Sequence, residues 1–215
     1  AMIVEQRNKL RKMQTRFGKA YAPATINRYL AALSHVFTIG VNEWGWVDDS
    51  PMRKVGKETE PRGRVRFLSD EERERLLQAR QASHHPALYT VVVLALSTGA
   101  RRGEIMNLRW QDVDFDRKAI TLHETKNGEM RVLPMAGHAL ECMIEHQKVQ
   151  RLDTDYVFPI DGRKKPMDIQ PYWNRAVKQA QLEDFKFHDL RHSAASYLAM
   201  NGASLAEIAE VLGHK

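Results

Sequence analysis

The sequence has little cysteine and no long apolar run, and each absence excludes a class of protein. Its single cysteine, Cys142, cannot form an internal disulfide, which excludes a disulfide-stapled secreted scaffold. No apolar run approaches the roughly 20 residues that span a bilayer, and no secretory leader is recognisable. We therefore expect a cytoplasmic protein, with two domains in its 215 residues.

Acidic residues are scarce in the first third of the chain. Residues 1–66 hold 13 Lys and Arg against 6 Asp and Glu, whereas residues 67–215 hold 20 against 21. A basic segment attached to a near-neutral domain is typical of a protein that binds a polyanion, and nucleic acid is the usual one. A solvated basic surface without a partner gives the same balance, so charge alone leaves both interpretations open.

A stretch without apolar residues predicts the domain boundary. Residues 56–64 contain two glycines and a proline, which is typical of an exposed linker. We therefore divide the chain into a domain over residues 1–57, a linker over 58–66 and a second domain over 67–215.

The first domain is predicted to be helical. Between Ala24 and Phe37, apolar residues recur at helical spacing, and Arg28 lies on the opposite face. Because this domain carries the basic excess, Arg28 is a candidate DNA contact.

The second domain combines helices with a hairpin. Ser69 and Glu72 have the spacing of a capping box, which opens a helix. Two strand-like runs, residues 119–125 and 130–134, are joined through Asn127-Gly128, a strong hairpin signal. Further helix signals are Pro86 before an apolar run over 87–96, a helix over 104–110, a capping box at Ser204 and Glu207, and Gly213 as a C-cap. The pattern predicts a mostly α fold with a small antiparallel β-sheet, an α+β class.

Arginines and histidines stand in three short motifs of the second domain. The motifs are residues 98–104 (TGARRGE), 188–192 (HDLRH) and 212–214 (LGH). Guanidinium groups keep their charge, and together with imidazoles they can grip a phosphodiester and stabilise the charge of its transition state. A Thr-Gly break would present Arg101 near a helix N-terminus, where anions are favoured.

The second motif allows two interpretations. His188 and Arg191 are three residues apart, so on a helix they share a face and can converge on one phosphate. His192 is four residues from His188, and this pair could instead bind a metal ion, as in a metal-dependent nuclease. The intervening arginine would repel a cation and no third ligand has suitable spacing, so we expect no metal and a structural role for His192.

The order of these motifs and the residues within them resemble the tyrosine recombinases, the phage integrase family, and the resemblance covers nearly the whole chain. Residues 25–33 (TINRYLAAL) and 42–47 (NEWGWV) also resemble the core-binding domain of that family. The resemblance implies the tyrosine-recombinase catalytic fold preceded by a small helical core-binding domain. It further implies strand exchange on double-stranded DNA, with no cofactor, no metal and no small-molecule substrate.

The resemblance also implies roles for the motif residues. Arg101 and Arg191 would clamp the scissile phosphate, and His214 would be a third phosphate contact. His188 would serve the hydroxyl of the nucleophilic tyrosine as hydrogen-bond partner or proton acceptor. Glu104 matches a position that supports the active site.

The hairpin supplies the general acid in the resembling family, which implies that Lys126 protonates the leaving oxygen. Lys118 and Arg131 are the nearby alternatives, because the hairpin register cannot be fixed from one sequence. Arg102 matches no catalytic position of the family, and we interpret it as a surface or DNA-backbone contact.

The nucleophilic tyrosine of the family has no counterpart after His214, which only Lys215 follows in this sequence. Tyr197 lies nearest a motif among the six tyrosines, and we expect it in the core. We therefore expect these 215 residues to be a recombinase fragment that binds DNA without cleaving it. The full-length protein, of bacterial or phage origin and nucleoid-associated, would form a homo-tetramer on DNA. A helix-turn-helix-like segment over residues 202–213 leaves a noncatalytic DNA-binding regulator as the alternative.

Overall fold

A computed structural model describes residues 2–61, 63–64, 66–79, 85–123, 130–160 and 162–213. The chain divides into two compact units, Ala1–Arg64 and Val65–Lys215. No helix within the described ranges has the length and apolar character needed to cross a membrane.

The first unit is helical. Helix α1 covers Met2–Lys12, helix α2 covers Pro23–Asn42 and a 3₁₀ turn covers Pro51–Lys54. Proline suits the start of α2, since the first N–H groups of a helix have no partner within it. Helices α1 and α2 pack together, and α2 buries Ile26 and Leu30.

Polar contacts anchor the start of the segment whose composition predicts a linker. The Asn27 amide donates to the Glu58 carbonyl (2.9 Å) and accepts from the Glu58 N–H (2.7 Å). The Glu58 carboxylate, whose side chain is 9% exposed, pairs with Arg7 (3.3 Å) and Arg11 (3.0 Å). Arg7 also donates to the Gly56 carbonyl (2.7 Å). The chain is therefore held against α1 and α2 as far as Glu58.

The second unit is mostly helical. Its helices are α3 (Asp70–Gln78), α4 (Ala87–Thr98), α5 (Arg102–Met106), α6 (Gly137–Gln147), α7 (Gln170–Gln179), α8 (Asp189–Met200) and α9 (Leu205–Leu212). The strands β1 (Val113–Asp114), β2 (Ala119–Leu122) and β3 (Arg131–Pro134) form an antiparallel sheet in the order β1-β2-β3. The predicted fold class is confirmed.

Local helix signals agree with the structure. Both capping boxes are present, at Ser69 and Glu72 before α3 and at Ser204 and Glu207 before α9. Gly213 ends α9 with a left-handed φ of 64°. These predictions are confirmed because each depends on residues within a few positions of one another.

The predicted helix over residues 104–110 is wrong. Helix α5 begins two residues earlier, at Arg102, and ends at Met106. The backbone N–H of Trp110 donates instead to the carbonyl of Asp155 (2.9 Å), so a contact distant in sequence draws the chain out of the helix.

Helix α4 forms the centre of the second unit. It is apolar on all sides, and nearly every residue from Ala87 to Ala95 is buried, as expected of a core helix. It contacts both α6 and α8. The helix ends at Gly99, where φ is 62° and a β-carbon would overlap the Leu212 side chain. The C-terminal ends of α4 and α9 therefore meet.

Replacing Gly99 with alanine should destabilise the second unit by about 2 kcal/mol, because a left-handed φ costs a non-glycine residue roughly 1 to 3 kcal/mol and the methyl group would also displace Leu212. Urea unfolding followed by circular dichroism measures the loss. The control is Gly103→Ala in α5, where a β-carbon meets nothing within 4 Å and should be neutral or stabilising. Equal midpoints for Gly99→Ala and the wild type would contradict this packing.

Candidate active site

Arg101 is fixed at the N-terminus of α5 by Glu104. The backbone N–H of Arg101 donates a hydrogen bond to one carboxylate oxygen of Glu104 (2.7 Å), and Nη1 of Arg101 donates to the other (2.6 Å). The Glu104 side chain is 6% exposed and that of Arg101 is 25% exposed. The carboxylate is therefore enclosed, whereas part of the guanidinium faces solvent.

Arg131 joins the same carboxylate from strand β3. Its Nη2 donates to Glu104 Oε2 (2.8 Å), and its Nη1 donates to the carbonyl of Val211 (3.0 Å). Burial lowers the pKa of Arg131, and the charge of Glu104 opposes this shift. Sequence reasoning considered Arg131 only as an alternative general acid. This enclosed guanidinium, shared between two oxygen acceptors, is poorly suited to that role.

Lys118, the other alternative, lies at the far end of the sheet. Strand β2 pairs Leu122 with Arg131 at one end and Ala119 with Pro134 at the other. Lys118 directly precedes Ala119, so the length of β2 separates it from the end at which Arg131 meets Glu104.

Arg191 lies in the interior beside two helix ends. Its residue is 4% exposed, its Nη1 donates to the Gly99 carbonyl (2.7 Å) and its Nη2 donates to the Leu212 carbonyl. Burial, followed by the charges of Arg101 and Arg131, lowers the pKa of Arg191 to about 10. Arg191 is still charged at neutral pH, and the three guanidinium groups lie close enough to act on one another.

His188 directly precedes α8 and is exposed. Partial burial lowers its pKa, and the neighbouring His192 and Arg191 lower it further, so its imidazole is neutral at pH 7. The His188 and His192 rings meet edge to face with centroids 5.2 Å apart. Across the described ranges, no three His, Cys, Asp or Glu side chains are arranged to hold a metal ion.

Two predicted site residues, Lys126 and His214, lie outside the described residues. The described strands pair Leu122 with Arg131 at the end of the sheet where Arg131 meets Glu104. Gly213 likewise lies against Arg131.

The two arginines predicted to contact DNA are both exposed. Arg102 is exposed, and its Nη1 donates to Oε1 of Gln170 (2.5 Å). Arg28 is exposed on α2, in the first unit.

Tyr197 has a structural position. Its hydroxyl donates to the carbonyl of Leu68 (3.1 Å), and Arg73 lies over its ring at 5.3 Å. Burial raises the pKa of Tyr197. A hydroxyl held in this way ties α8 to the chain before α3 and is poorly placed to act as a nucleophile.

An open groove of about 730 Å³ lies beside Arg101. Asn107, Arg109, His123 and Tyr156 contribute to its lining, and Arg109 lies over the Tyr156 ring at 4.7 Å. Sequence reasoning missed this groove, because its lining comes from α5, β2 and the loop before α7. The mixture of cationic, amide and aromatic groups suits a sugar-phosphate chain and its bases.

The sequence pattern of the phage integrase family, the tyrosine recombinases, matches residues 66–215. The chain belongs to the phage integrase family. The match begins just after the division between the two units and contains all three arginines of the cluster.

The chain is similar to a shufflon-specific DNA recombinase of Escherichia coli, with 33% identity over 208 residues that cover 96% of this chain and 52% of the relative. It is 32% identical over 208 residues to the integrase of Salmonella phage P22, covering 91% of this chain and 52% of that protein. The chain thus spans about half the length of these curated relatives.

A solved structure of the Tn1549 transposon integrase in complex with circular intermediate DNA is also similar to this chain. The TM-score is 0.74 at 20% identity, over 98% of this chain and 76% of that one. At this identity the likeness shows the fold, and the expectation of a tyrosine-recombinase catalytic fold is confirmed.

The lowered pKa of His188 predicts a loss of stability in acid. In the unfolded chain the imidazole takes up a proton below its ordinary pKa, about 6.5, whereas in the folded chain it does so only at lower pH. Unfolding free energy should therefore fall as pH drops from 7.5 to 5.5, and His188→Gln should reduce this fall. Urea titrations across that pH range measure the fall in unfolding free energy. The control is His35→Gln, because His35 is exposed. A slope unchanged by His188→Gln would contradict the assignment.

Proposed function

We propose that this chain is the DNA-binding and phosphate-activating part of a site-specific recombinase, which breaks and rejoins duplex DNA through a 3′-phosphotyrosine. The observation that carries the proposal is the cluster in which Glu104 binds Arg101 and Arg131, and Arg191 lies close enough to be influenced by all three charges. Among the described residues of this cluster, three positive charges accompany one carboxylate, a balance that favours an anionic ligand such as phosphate.

In the proposed reaction a tyrosine oxygen attacks the scissile phosphorus, and the bond from phosphorus to the 5′ oxygen breaks. Arg101 and Arg191 donate to the non-bridging oxygens, where negative charge increases. Neutral His188 hydrogen-bonds the attacking hydroxyl and accepts its proton, and Lys126 gives a proton to the leaving 5′ oxygen. His214 adds a further phosphate contact. The reverse attack by a 5′ hydroxyl rejoins the strand and releases the tyrosine.

The complete protein would act at the nucleoid as a homo-tetramer on DNA, which the family resemblance supports. Native mass spectrometry of the complete protein with a duplex tests this. A complex with four protomers is expected, and one or two protomers at saturation would contradict it.

DNA binding should be strongly salt-dependent, because the slope of log affinity against log salt is roughly −0.9 per phosphate neutralised. Fluorescence anisotropy with a mixed-sequence duplex measures this slope between about 50 and 300 mM KCl. Arg101→Ala and Arg28→Gln should each reduce its magnitude by about 0.9. The control is Arg117→Gln, whose side chain is 86% exposed on the β1–β2 turn. Affinity independent of salt would contradict the proposal.

These 215 residues alone should bind DNA without forming a covalent adduct. A nicked suicide duplex would trap any phosphotyrosine as a slower band on a denaturing gel. Tyr156 lines the groove with Arg101, so Tyr156→Phe and Tyr197→Phe are the controls that would identify an unexpected nucleophile. An adduct with the wild type would contradict this expectation. If the complete protein also forms no adduct, the noncatalytic regulator is favoured.

A further inference from the structure

Arg131 connects two parts of the site that are far apart in sequence. Through Nη2 it contacts Glu104, which holds Arg101 at the start of α5. Through Nη1 it contacts the carbonyl of Val211, next to the Leu212 carbonyl that accepts from Arg191. One planar guanidinium therefore spans the supports of both arginines that would hold the phosphate.

Arg131 is largely enclosed at the end of α9. Its side chain is 10% exposed, and its Nε is buried without a hydrogen-bond partner in the described part of the chain. Gly213 lies so close that an added β-carbon would be 2.9 Å from Arg131 Cδ and Nη1. The backbone at the end of α9 thus covers the guanidinium.

Helix α9 packs against α8, and Leu212 is its one buried residue. The two guanidinium contacts, from Arg131 to Val211 and from Arg191 to Leu212, add to this packing at the last turn of α9. They are favourable because the C-terminal carbonyls of a helix lack N–H partners and carry partial negative charge.

We propose that Arg131 is a positioning residue, which aligns Arg101 and Arg191 on one phosphate by joining Glu104 to the C-terminal end of α9. This inference rests on the proposed function. Its geometric basis is the fork of the guanidinium, which can serve two acceptors at fixed angles, whereas the ammonium of lysine is a single point.

The test compares Arg131→Gln and Arg131→Lys with the wild-type chain by anisotropy on a mixed-sequence duplex. Arg131→Gln removes a charge that touches no phosphate in this proposal, yet it should reduce the magnitude of the salt slope by about 0.9, the value for one phosphate no longer neutralised. Arg131→Lys should remain defective because it keeps the charge and loses the fork. Arg117→Gln, a charge removed from an exposed turn of the same sheet, should leave the slope unchanged.

A double-mutant cycle separates positioning from a general loss of stability. If Arg131 acts through Arg101, then adding Arg101→Ala to Arg131→Gln should cost little further affinity. Wild-type affinity for Arg131→Lys, or additive losses in the cycle, would overturn the inference. Circular dichroism melting verifies folding. If Arg131→Gln does not fold, Gly213→Ala supplies an independent perturbation, because its methyl group would displace the Arg131 side chain. Wild-type DNA affinity of a folded Gly213→Ala variant would also overturn the inference.

Inorganic pyrophosphate distinguishes failure of this inference from failure of the proposed function. A ligand that binds the folded cluster raises the melting temperature. The wild type and Arg117→Gln should show this rise, whereas Arg131→Gln and Arg101→Ala should lose it. A chain that responds to pyrophosphate in this pattern but does not bind duplex DNA would overturn the proposed function and support the role of Arg131. A full response by Arg131→Gln would overturn the inference.

Discussion

The enclosure of like charges is the constraint on which the second unit depends. Two unit charges about 6 Å apart repel by about 3 kcal/mol at an effective dielectric constant near 20. Arg101, Arg131 and Arg191 tolerate one another because oxygen acceptors surround them. Glu104 supplies a full negative charge to two of them, and helix C-terminal carbonyls supply partial negative charge to Arg131 and Arg191.

This balance explains why the ends of α4 and α9 are built as they are. Both helices end in a left-handed glycine, at Gly99 and Gly213, and this turns the last carbonyls toward neighbouring groups. Larger residues would collide with Leu212 at the first glycine and with Arg131 at the second. The buried core helix α4 therefore provides a rigid base for a site made from segments distant in sequence.

The pKa of Arg191 falls to about 10 because burial and its positive neighbours outweigh Glu104. A phosphate diester bound as proposed would add negative charge and relieve that repulsion. Binding and fold stability would then be coupled at this site.

The sequence predicted those features that short-range chemistry determines. The capping boxes at Ser69 and Ser204 and the glycine after α9 each follow from residues a few positions apart. The two strands of the hairpin were also predictable from their alternation. The end of α5 was not, because it depends on a contact between Trp110 and Asp155.

The site residues also differ in whether a local pattern or a long-range contact determines them. The motifs and their family resemblance identified Arg101, Arg191, His188 and Glu104 as candidates. They did not reveal the role of Arg131, whose partners lie 27 residues before it and 80 residues after it. No local pattern marks such a residue, and only the folded chain brings β3, α5 and the end of α9 together.

Anomalous diffraction from a crystal of this chain soaked in arsenate would test the central claim most directly. Arsenate has the shape and charge of phosphate, and its arsenic atom gives a peak that locates it. The account predicts one peak whose ion lies within hydrogen-bonding distance, about 3 Å, of the guanidinium groups of both Arg101 and Arg191. An ion bound by only one of these arginines, or a cluster left empty while arsenate binds elsewhere, would contradict it.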